Sequence, residues 1–127
     1  MKLFLNISNH PSKSWDKDQK EAVNGLFMNN EVEYWDIPYP NIPPQASLEE
    51  VKSICDAVVS QVQALKGDNE VVALVQGEMT SLFFLVPSLQ KLGIKVVSAT
   101  TQRVAEEKDG VKTSVFKFCK FREYPIL

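Results

Sequence analysis

Three short apolar runs dominate the hydrophobic pattern of this chain. They cover residues 3–7, 71–75 and 94–99. Nearly continuous apolar runs of this length are typical of parallel β-strands that are buried on both faces. A fourth run, residues 32–37, is aromatic and partly alternating, which predicts a less buried strand.

The segments between these runs show helical spacing. Residues 15–27 carry apolar side chains on one side and acidic residues near the start, which predicts a helix. Ser47-Leu48-Glu49-Glu50 forms a capping-box motif, after which apolar residues recur at helical spacing up to Leu65. Residues 82–92 are apolar nearly all round, which predicts a buried helix that Pro87 kinks.

The pattern changes after the fourth predicted strand. Residues 103–107 and 112–121 flank the turn signal Asp109-Gly110, which predicts an antiparallel β-hairpin. Phe116 and Phe118 would share one face, but Phe121 breaks this parity. A β-bulge near Cys119 would restore it.

Strands that alternate with helices define the expected fold class. We expect an α/β fold with a Rossmann-like, three-layer open sheet, mostly parallel, followed by the C-terminal antiparallel hairpin. Residues 1–127 are expected to form a single domain. With strand order 2-1-3-4, the strand order would reverse between the first and third strands.

Small, polar or ionisable residues follow each buried strand directly. They are Ser8-Asn9-His10, residues 76–81, and Thr100-Thr101-Gln102-Arg103. In open α/β sheets, ligands bind beyond the carboxyl ends of the strands, where the strand order reverses. The predicted order places Asn9 and His10 opposite Gly77 and Glu78, with the loop that carries Thr100, Thr101 and Arg103 next along this edge.

The residue types at this edge favour an anionic ligand. Gly77 would let a ligand approach the backbone closely, and the free N–H groups of residues 79–81 would form an anion site at a helix start. One arginine and several hydroxyls suit a phosphodiester better than a carboxylate or a metal ion. Asp36 occupies the place of a ribose-binding acid, but no G-x-G-x-x-G follows the first strand. We therefore expect no nicotinamide or flavin cofactor.

Several of these residues have a purely structural alternative. His10 precedes Pro11 and is as well explained by stabilisation of that turn as by function. Glu78 is better explained as a carboxylate that interacts favourably with the positive end of the helix dipole. If it is functional, it would bind a ribose hydroxyl or orient Arg103. Arg122 is better explained by a surface ion pair. Trp15, Trp35 and Tyr39 are better explained as core or interface residues, although Tyr39 in the proline-rich loop is also a candidate for base stacking.

Composition narrows the possible functions further. The 127 residues have a formal net charge of −2, which argues against a general binder of long nucleic acids. A single histidine makes a structural zinc site unfavourable, and Cys55 and Cys119 are expected to be buried, reduced thiols. We see neither an apolar run long enough to span a membrane nor a secretory leader, so we expect a cytoplasmic protein without membrane partners.

Several motifs together resemble one family. They are residues 3–12 with Trp15, residues 36–38, 76–80 and 99–103, and residues 118–124. The chain resembles a small stand-alone family associated with type III CRISPR loci, similar to the CRISPR-associated Rossmann-fold (CARF) proteins that recognise cyclic oligoadenylate. The resemblance implies a two-fold homodimer that binds a ring of four adenylates across its axis. Members that act as ring nucleases cut without metal, through attack of a 2′-hydroxyl on the adjacent phosphate.

The resemblance also implies roles for the residues at the strand ends. Arg103 and the N–H groups of Met79 and Thr80 would contact phosphate, and His10 would act as general acid or base. The other ligand-binding residues would be Ser8, Asn9, Gly77, Glu78, Thr100 and Thr101. The chain departs from the ring-cutting pattern because no lysine is evident at the strand ends, so the sequence supports binding more strongly than turnover. The alternatives are a non-catalytic cyclic-oligoadenylate sink or sensor, and an unrelated nucleotide-binding α/β module.

Overall fold

All strands of the molecule belong to one mixed sheet between two helical layers. A computed structural model describes residues 1–29 and 31–127. The elements in chain order are β1 (Lys2–Ser8), a 3-10 turn (Ser12–Ser14), α1 (Lys17–Phe27), β2 (Glu33–Pro38), α2 (Leu48–Lys66), β3 (Glu70–Val75), α3 (Met79–Lys91), β4 (Lys95–Lys108) and β5 (Val111–Glu123). The strand order is β2-β1-β3-β4-β5, parallel except for the antiparallel β4–β5 pair. The predicted fold class is confirmed, and the strand order assumed for placing the strand-end residues is the one observed.

Alternation along the buried strands builds a core on each face of the sheet. In β1, Leu3, Leu5 and Ile7 pack with residues of α2 and α3, whereas Phe4 packs with Val23 of α1 and its neighbours. Because a strand directs successive side chains to opposite faces, a continuous apolar run serves both layers. This explains why the runs at β1 and β3 lack hydrophobic alternation.

Side-chain caps define where the first two helices begin. Asp16 caps α1 by accepting a hydrogen bond from the Gln19 N–H at 2.9 Å, so the helix begins two residues later than predicted. The Ser47 hydroxyl accepts from the Glu50 N–H at 3.2 Å, and the Glu50 carboxylate accepts from the Ser47 N–H at 3.4 Å. The predicted capping box is therefore confirmed.

The fourth strand is much longer than predicted. We expected a strand over residues 94–99 followed by a loop with Thr100, Thr101 and Arg103; this expectation is wrong, because β4 continues to Lys108. Beyond the end of β3, β4 keeps its backbone hydrogen bonds with β5, which pairs along the opposite edge of β4. Asp109 and Gly110 form the tight turn with φ of 54° and 77°. We call the projecting part, residues 101–118, the ribbon.

The predicted β-bulge is present at Cys119. Thr100 pairs with Lys120 while Thr101 pairs with Phe118, so Cys119 is the extra residue on β5. The expectation that both thiols are buried is half wrong, because Cys55 is buried and Cys119 is exposed. An edge strand leaves the side chain at a bulge open to solvent, whereas Cys55 faces the core from α2.

Helix α3 differs from its prediction in extent and burial. It begins at Met79, earlier than residue 82, and continues through Pro87. Phe83 is 80% exposed, so the helix is buried on one side only. Among the described residues, no helix is long and apolar enough to cross a membrane.

Candidate ligand-binding edge of the sheet

The carboxyl ends of the first three strands meet at one edge of the sheet. The Gln76 N–H donates to the Ile7 carbonyl at 3.1 Å, and the Tyr39 N–H donates to the Ser8 carbonyl at 3.4 Å. Asn9, His10 and Gly77 are exposed at this edge. The structure therefore brings the β1 and β3 loops together at the reversal of strand order, as the sequence predicts.

A buried amide holds the turn that carries His10. Asn6 is 1% exposed, and its Nδ2 donates to the His10 carbonyl at 2.8 Å. Its Oδ1 accepts from the Ser8 hydroxyl at 2.7 Å, and that hydroxyl accepts from the His10 N–H at 3.2 Å. Ser8, which we expected to contact ligand, therefore uses its hydroxyl inside the turn. The His10 side chain extends into solvent from a fixed backbone.

Asp36 completes this turn network instead of standing free for a ribose. One carboxylate oxygen accepts from Asn6 Nδ2 at 3.2 Å, and the other accepts from the Ser12 N–H at 3.0 Å. Asn6 was not predicted as a site residue, because residues 3–7 have the pattern of a buried apolar strand. The available signal was an amide inside an otherwise apolar run, since a buried amide needs partners nearby.

Tyr39 occupies the space that Gly77 leaves open. The Tyr39 ring lies so close to Gly77 that a Cβ atom at residue 77 would overlap it. Tyr39 is 8% exposed, and its hydroxyl donates to the Glu78 carbonyl at 3.2 Å and bonds the Ser81 hydroxyl. Burial raises the pKa of Tyr39. The expectation for Gly77 is therefore wrong, because the space beside this glycine is filled by the Tyr39 ring. The favoured interpretation of Tyr39 as a core residue is confirmed, and its ring is not free for base stacking.

Glu78 occupies the amide groups that we expected to bind an anion. Its carboxylate accepts hydrogen bonds from the Thr80 and Ser81 N–H groups, both at 2.8 Å. These bonds, first that from Ser81 and then that from Thr80, lower the pKa of Glu78. The expectation of free N–H groups is thus wrong for these two residues, and the helix-capping alternative for Glu78 is confirmed.

The structure separates the predicted β4 residues from His10. The Thr100 hydroxyl donates to the Lys120 carbonyl at 3.0 Å and accepts from the Lys120 N–H at 3.2 Å, so it bonds the backbone at the bulge. Arg103 lies six residues beyond Val97, the partner of Leu74, which is about 20 Å along the strand. Thr101 and Arg103 therefore lie on the ribbon, away from the His10 turn of the same chain.

Cations on β5 come closer to the level of the strand ends than Arg103 does. Lys120 pairs with Thr100 and Arg122 with Ser98, and both pairs follow directly after Val97, the last residue of β4 that pairs with β3. The expectation that no lysine reaches the strand ends is thus corrected. Neither Arg103 nor Arg122 forms a salt bridge within residues 1–29 and 31–127, so the surface ion pair suggested for Arg122 is absent there.

The donor set offers no metal centre in the part of the chain that the structure describes. No group of three or more histidine, cysteine, aspartate or glutamate side chains there could hold a metal ion. The chemistry available at this edge is therefore that of one exposed imidazole, exposed amides and hydroxyls, and cations on β5.

Comparison with known proteins places the chain in a family. Residues 2–122 match the family described as the Uncharacterized protein MJ1673 family, so the chain belongs to that family. No curated protein and no solved structure matches the chain.

Proposed function

We propose that this protein binds cyclic oligoadenylate, specifically cyclic tetra-adenylate, as a homodimer and degrades it as a metal-independent ring nuclease. In this role it would act in the cytoplasm and switch off type III CRISPR signalling. The observation that carries the proposal is the exposed His10 side chain, held on a rigid turn at the reversal of strand order in a Rossmann-like sheet.

The proposed reaction makes modest demands on the protein. A ribose 2′-hydroxyl attacks the adjacent phosphorus, the P–O5′ bond breaks, and the product carries a 2′,3′-cyclic phosphate and a free 5′-hydroxyl. In-line positioning supplies much of the acceleration, and His10 takes the proton from the 2′-hydroxyl or gives one to the 5′-oxygen. Asn9, exposed beside His10, would orient the ribose-phosphate. Arg103 would reach the phosphate only where the ligand, or the ribbon of a second copy, bridges the distance along β4.

Exposed apolar side chains support the homodimer. Met79 and Phe83 on α3, with Ile126 and Leu127 at the C terminus, are each more than three-quarters exposed. They line a groove of about 660 Å³. Contiguous apolar surface of this kind marks interaction sites on soluble proteins. A closed two-fold dimer would present every loop twice, which suits a symmetric ring.

Light scattering tests the assembly with a matched pair of variants. We expect the wild type to be a dimer at micromolar concentration and Phe83→Asp to be a monomer. Met28→Asp is the control, because Met28 is 93% exposed and directly follows α1, which packs on the opposite face of the sheet from α3. A monomeric wild type with and without ligand would argue strongly against the proposal.

The cap at α3 favours a second candidate, a stoichiometric sink. Because the Glu78 carboxylate holds the Thr80 and Ser81 N–H groups, this helix start offers less stabilisation to a crowded phosphate than we expected from the sequence. A sink would bind the ring at the same edge, with His10 as a hydrogen-bond donor, and would leave it intact.

Incubation with cyclic tetra-adenylate in EDTA, at several protein concentrations, distinguishes these functions. Separation of the products should show several turnovers per protein for a nuclease, and intact ring bound in stoichiometric amount for a sink. Absence of binding would leave the unrelated nucleotide-binding module. For a nuclease we expect His10→Ala to lower the single-turnover rate roughly 100-fold with affinity nearly unchanged. Asn41→Ala, an exposed amide in the proline-rich loop, is the control.

A further inference from the structure

The bulge at Cys119 sorts the side chains of β5 by chemical type. Strict alternation would place Phe116 and Phe118 on the same face as Lys120 and Arg122. The extra residue reverses the parity, so Phe116, Phe118 and Phe121 share one face instead. The Phe118 and Phe121 rings lie 4.9 Å apart, and Phe121 packs 5.6 Å from Phe4 in the core on the α1 side.

The opposite face of the same segment collects three cations. Lys117, Lys120 and Arg122 lie opposite Gln102, Thr100 and Ser98. We call these six residues the cationic face. All three cations are exposed, and none of the six residues is acidic. The nearest carboxylate along this face is that of Glu106, which lies beyond the Val104–Val115 pair and forms a salt bridge with Lys117 at 4.0 Å.

We propose that the cationic face binds the phosphodiester backbone of an oligonucleotide-type ligand, with its cations on successive phosphates. Positions two residues apart on a strand are separated by about 7 Å, close to the spacing of neighbouring phosphates in a nucleotide chain. The identity of that ligand as oligoadenylate rests on the proposed function, whereas the cationic face itself rests on the β4–β5 register.

Two hydroxyls on β4 fix the backbone beneath these cations. The Ser98 hydroxyl donates to the Arg122 carbonyl at 3.5 Å, and the Thr100 hydroxyl donates to the Lys120 carbonyl at 3.0 Å. These hydroxyls bond backbone, so the side chains left for a ligand on this face are the cations and Gln102. Although the net charge of the chain is −2, the cationic face has a local excess of positive charge.

Paired charge-neutral variants test the proposal. We expect Lys120→Gln with Arg122→Gln to weaken binding of labelled cyclic tetra-adenylate roughly 100-fold, about tenfold for each charge. The salt dependence of log affinity should become shallower by about 1.4 for two lost phosphate contacts. Lys108→Gln with Lys112→Gln removes the same charge near the ribbon tip and should change affinity less than threefold. Arg103→Ala in the same series tests the sequence-based expectation that Arg103 contacts phosphate, in which case binding should weaken roughly 30-fold.

A second probe, a ten-residue thymidine oligonucleotide, separates failure of this inference from failure of the proposed function. If cyclic tetra-adenylate binds equally well to wild type and Lys120→Gln/Arg122→Gln, the cationic face is overturned while the proposed function stands. If only the thymidine probe binds, and the pair abolishes its binding, the cationic face stands without the proposed function. Binding of neither probe to the wild type overturns both.

Lys117→Gln tests the third cation, whose side chain is 60% exposed, and we expect about tenfold weaker binding of the bound probe. Deletion of Cys119 is the control for the bulge. Without the extra residue β5 alternates regularly and Lys117 stays on the face of Lys120 and Arg122, so affinity should stay within threefold of the wild type. Cys119→Ser keeps the bulge and should also bind as the wild type does. Wild-type affinity in Lys117→Gln would remove Lys117 from the site.

Discussion

The strand-end edge and the ribbon use their polar residues in opposite ways. At the edge, Asn6, Ser8 and the Tyr39 hydroxyl are buried and bonded to neighbouring groups. On the ribbon nearly every side chain is exposed, and Arg103 makes no salt bridge within the described residues. At the edge, polar residues that suggested a binding site in the sequence therefore stabilise the turn and the fold. Exposed charged side chains lie on β4 and β5.

This difference indicates which polar residues are available to bind a ligand. A buried polar group needs its partners for folding and loses free energy when they are removed, whereas an exposed cation loses little. Substitutions of the buried polar groups at the edge should therefore change mainly stability. Substitutions of the exposed cations on the cationic face of β5 should change mainly binding.

The largest expected effect is at Asn6. Asn6→Leu removes the donor to the His10 carbonyl and the acceptor for the Ser8 hydroxyl, leaving both without these partners. We expect the free energy of unfolding to fall by about 3 kcal/mol in urea titrations. Asn9→Leu, at an exposed neighbouring position, should change it by less than about 0.5 kcal/mol. A loss below about 1 kcal/mol at Asn6 would contradict the rigid support.

Two phenylalanines of β5 test where the packed part of the sheet ends and the exposed ribbon begins. Phe121 packs against Phe4 and Trp15, whereas Phe116 is 68% exposed. We expect Phe121→Ala to lower the free energy of unfolding by about 2 kcal/mol and Phe116→Ala by less than about 0.5 kcal/mol. Equal losses in urea titrations would mean that the outer ribbon packs as firmly as the sheet.

Gly77 tests how tightly Tyr39 fills the predicted crevice. A Cβ at residue 77 would overlap the Tyr39 ring, so Gly77→Ala should lower the free energy of unfolding by about 1–2 kcal/mol. In a Tyr39→Ala background the same change should have almost no effect, because the overlap is gone. Additive losses in this double-mutant cycle would show that the ring does not limit the space at Gly77.

The smallest expected effect is at Glu78 and depends on pH. Because its pKa is lowered in the folded state, ionised Glu78 adds stability above its ordinary pKa of 4.5, and this contribution is lost as pH falls through the lowered value. Glu78→Gln should therefore lower Tm by a few degrees at neutral pH and leave it unchanged at strongly acidic pH. Glu33→Gln, exposed on β2, is the control in thermal melts. A constant difference in Tm across this range would contradict the role of the charge.

Several features were predictable because they depend on residues close in the chain. The Ser47 capping box and the Asp109-Gly110 turn involve three or four neighbouring residues, and both are observed. The bulge at Cys119 followed from the broken parity of Phe121. Glu78 was correctly favoured as a helix cap, because its position before α3 decides its partners.

The candidate site was less predictable because its contacts join distant segments. Whether Gly77 admits a ligand depends on Tyr39, 38 residues away in sequence, and the extent of β4 depends on its pairing with β5. Local pattern could not reveal that Thr100–Arg103 would continue a strand, since an antiparallel partner supplies the hydrogen bonds that a loop would lack.

The sequence by itself determined the α/β class and the capping box that begins α2, since apolar periodicity and local hydrogen bonding specify them. Only the tertiary structure decided which polar groups are already bonded and which remain free, because that depends on strand register and on the burial of side chains far apart in the chain. The side chains of Phe116 to Arg122 separate into an aromatic face and a cationic face only because β5 pairs with β4 with an extra residue at the bulge.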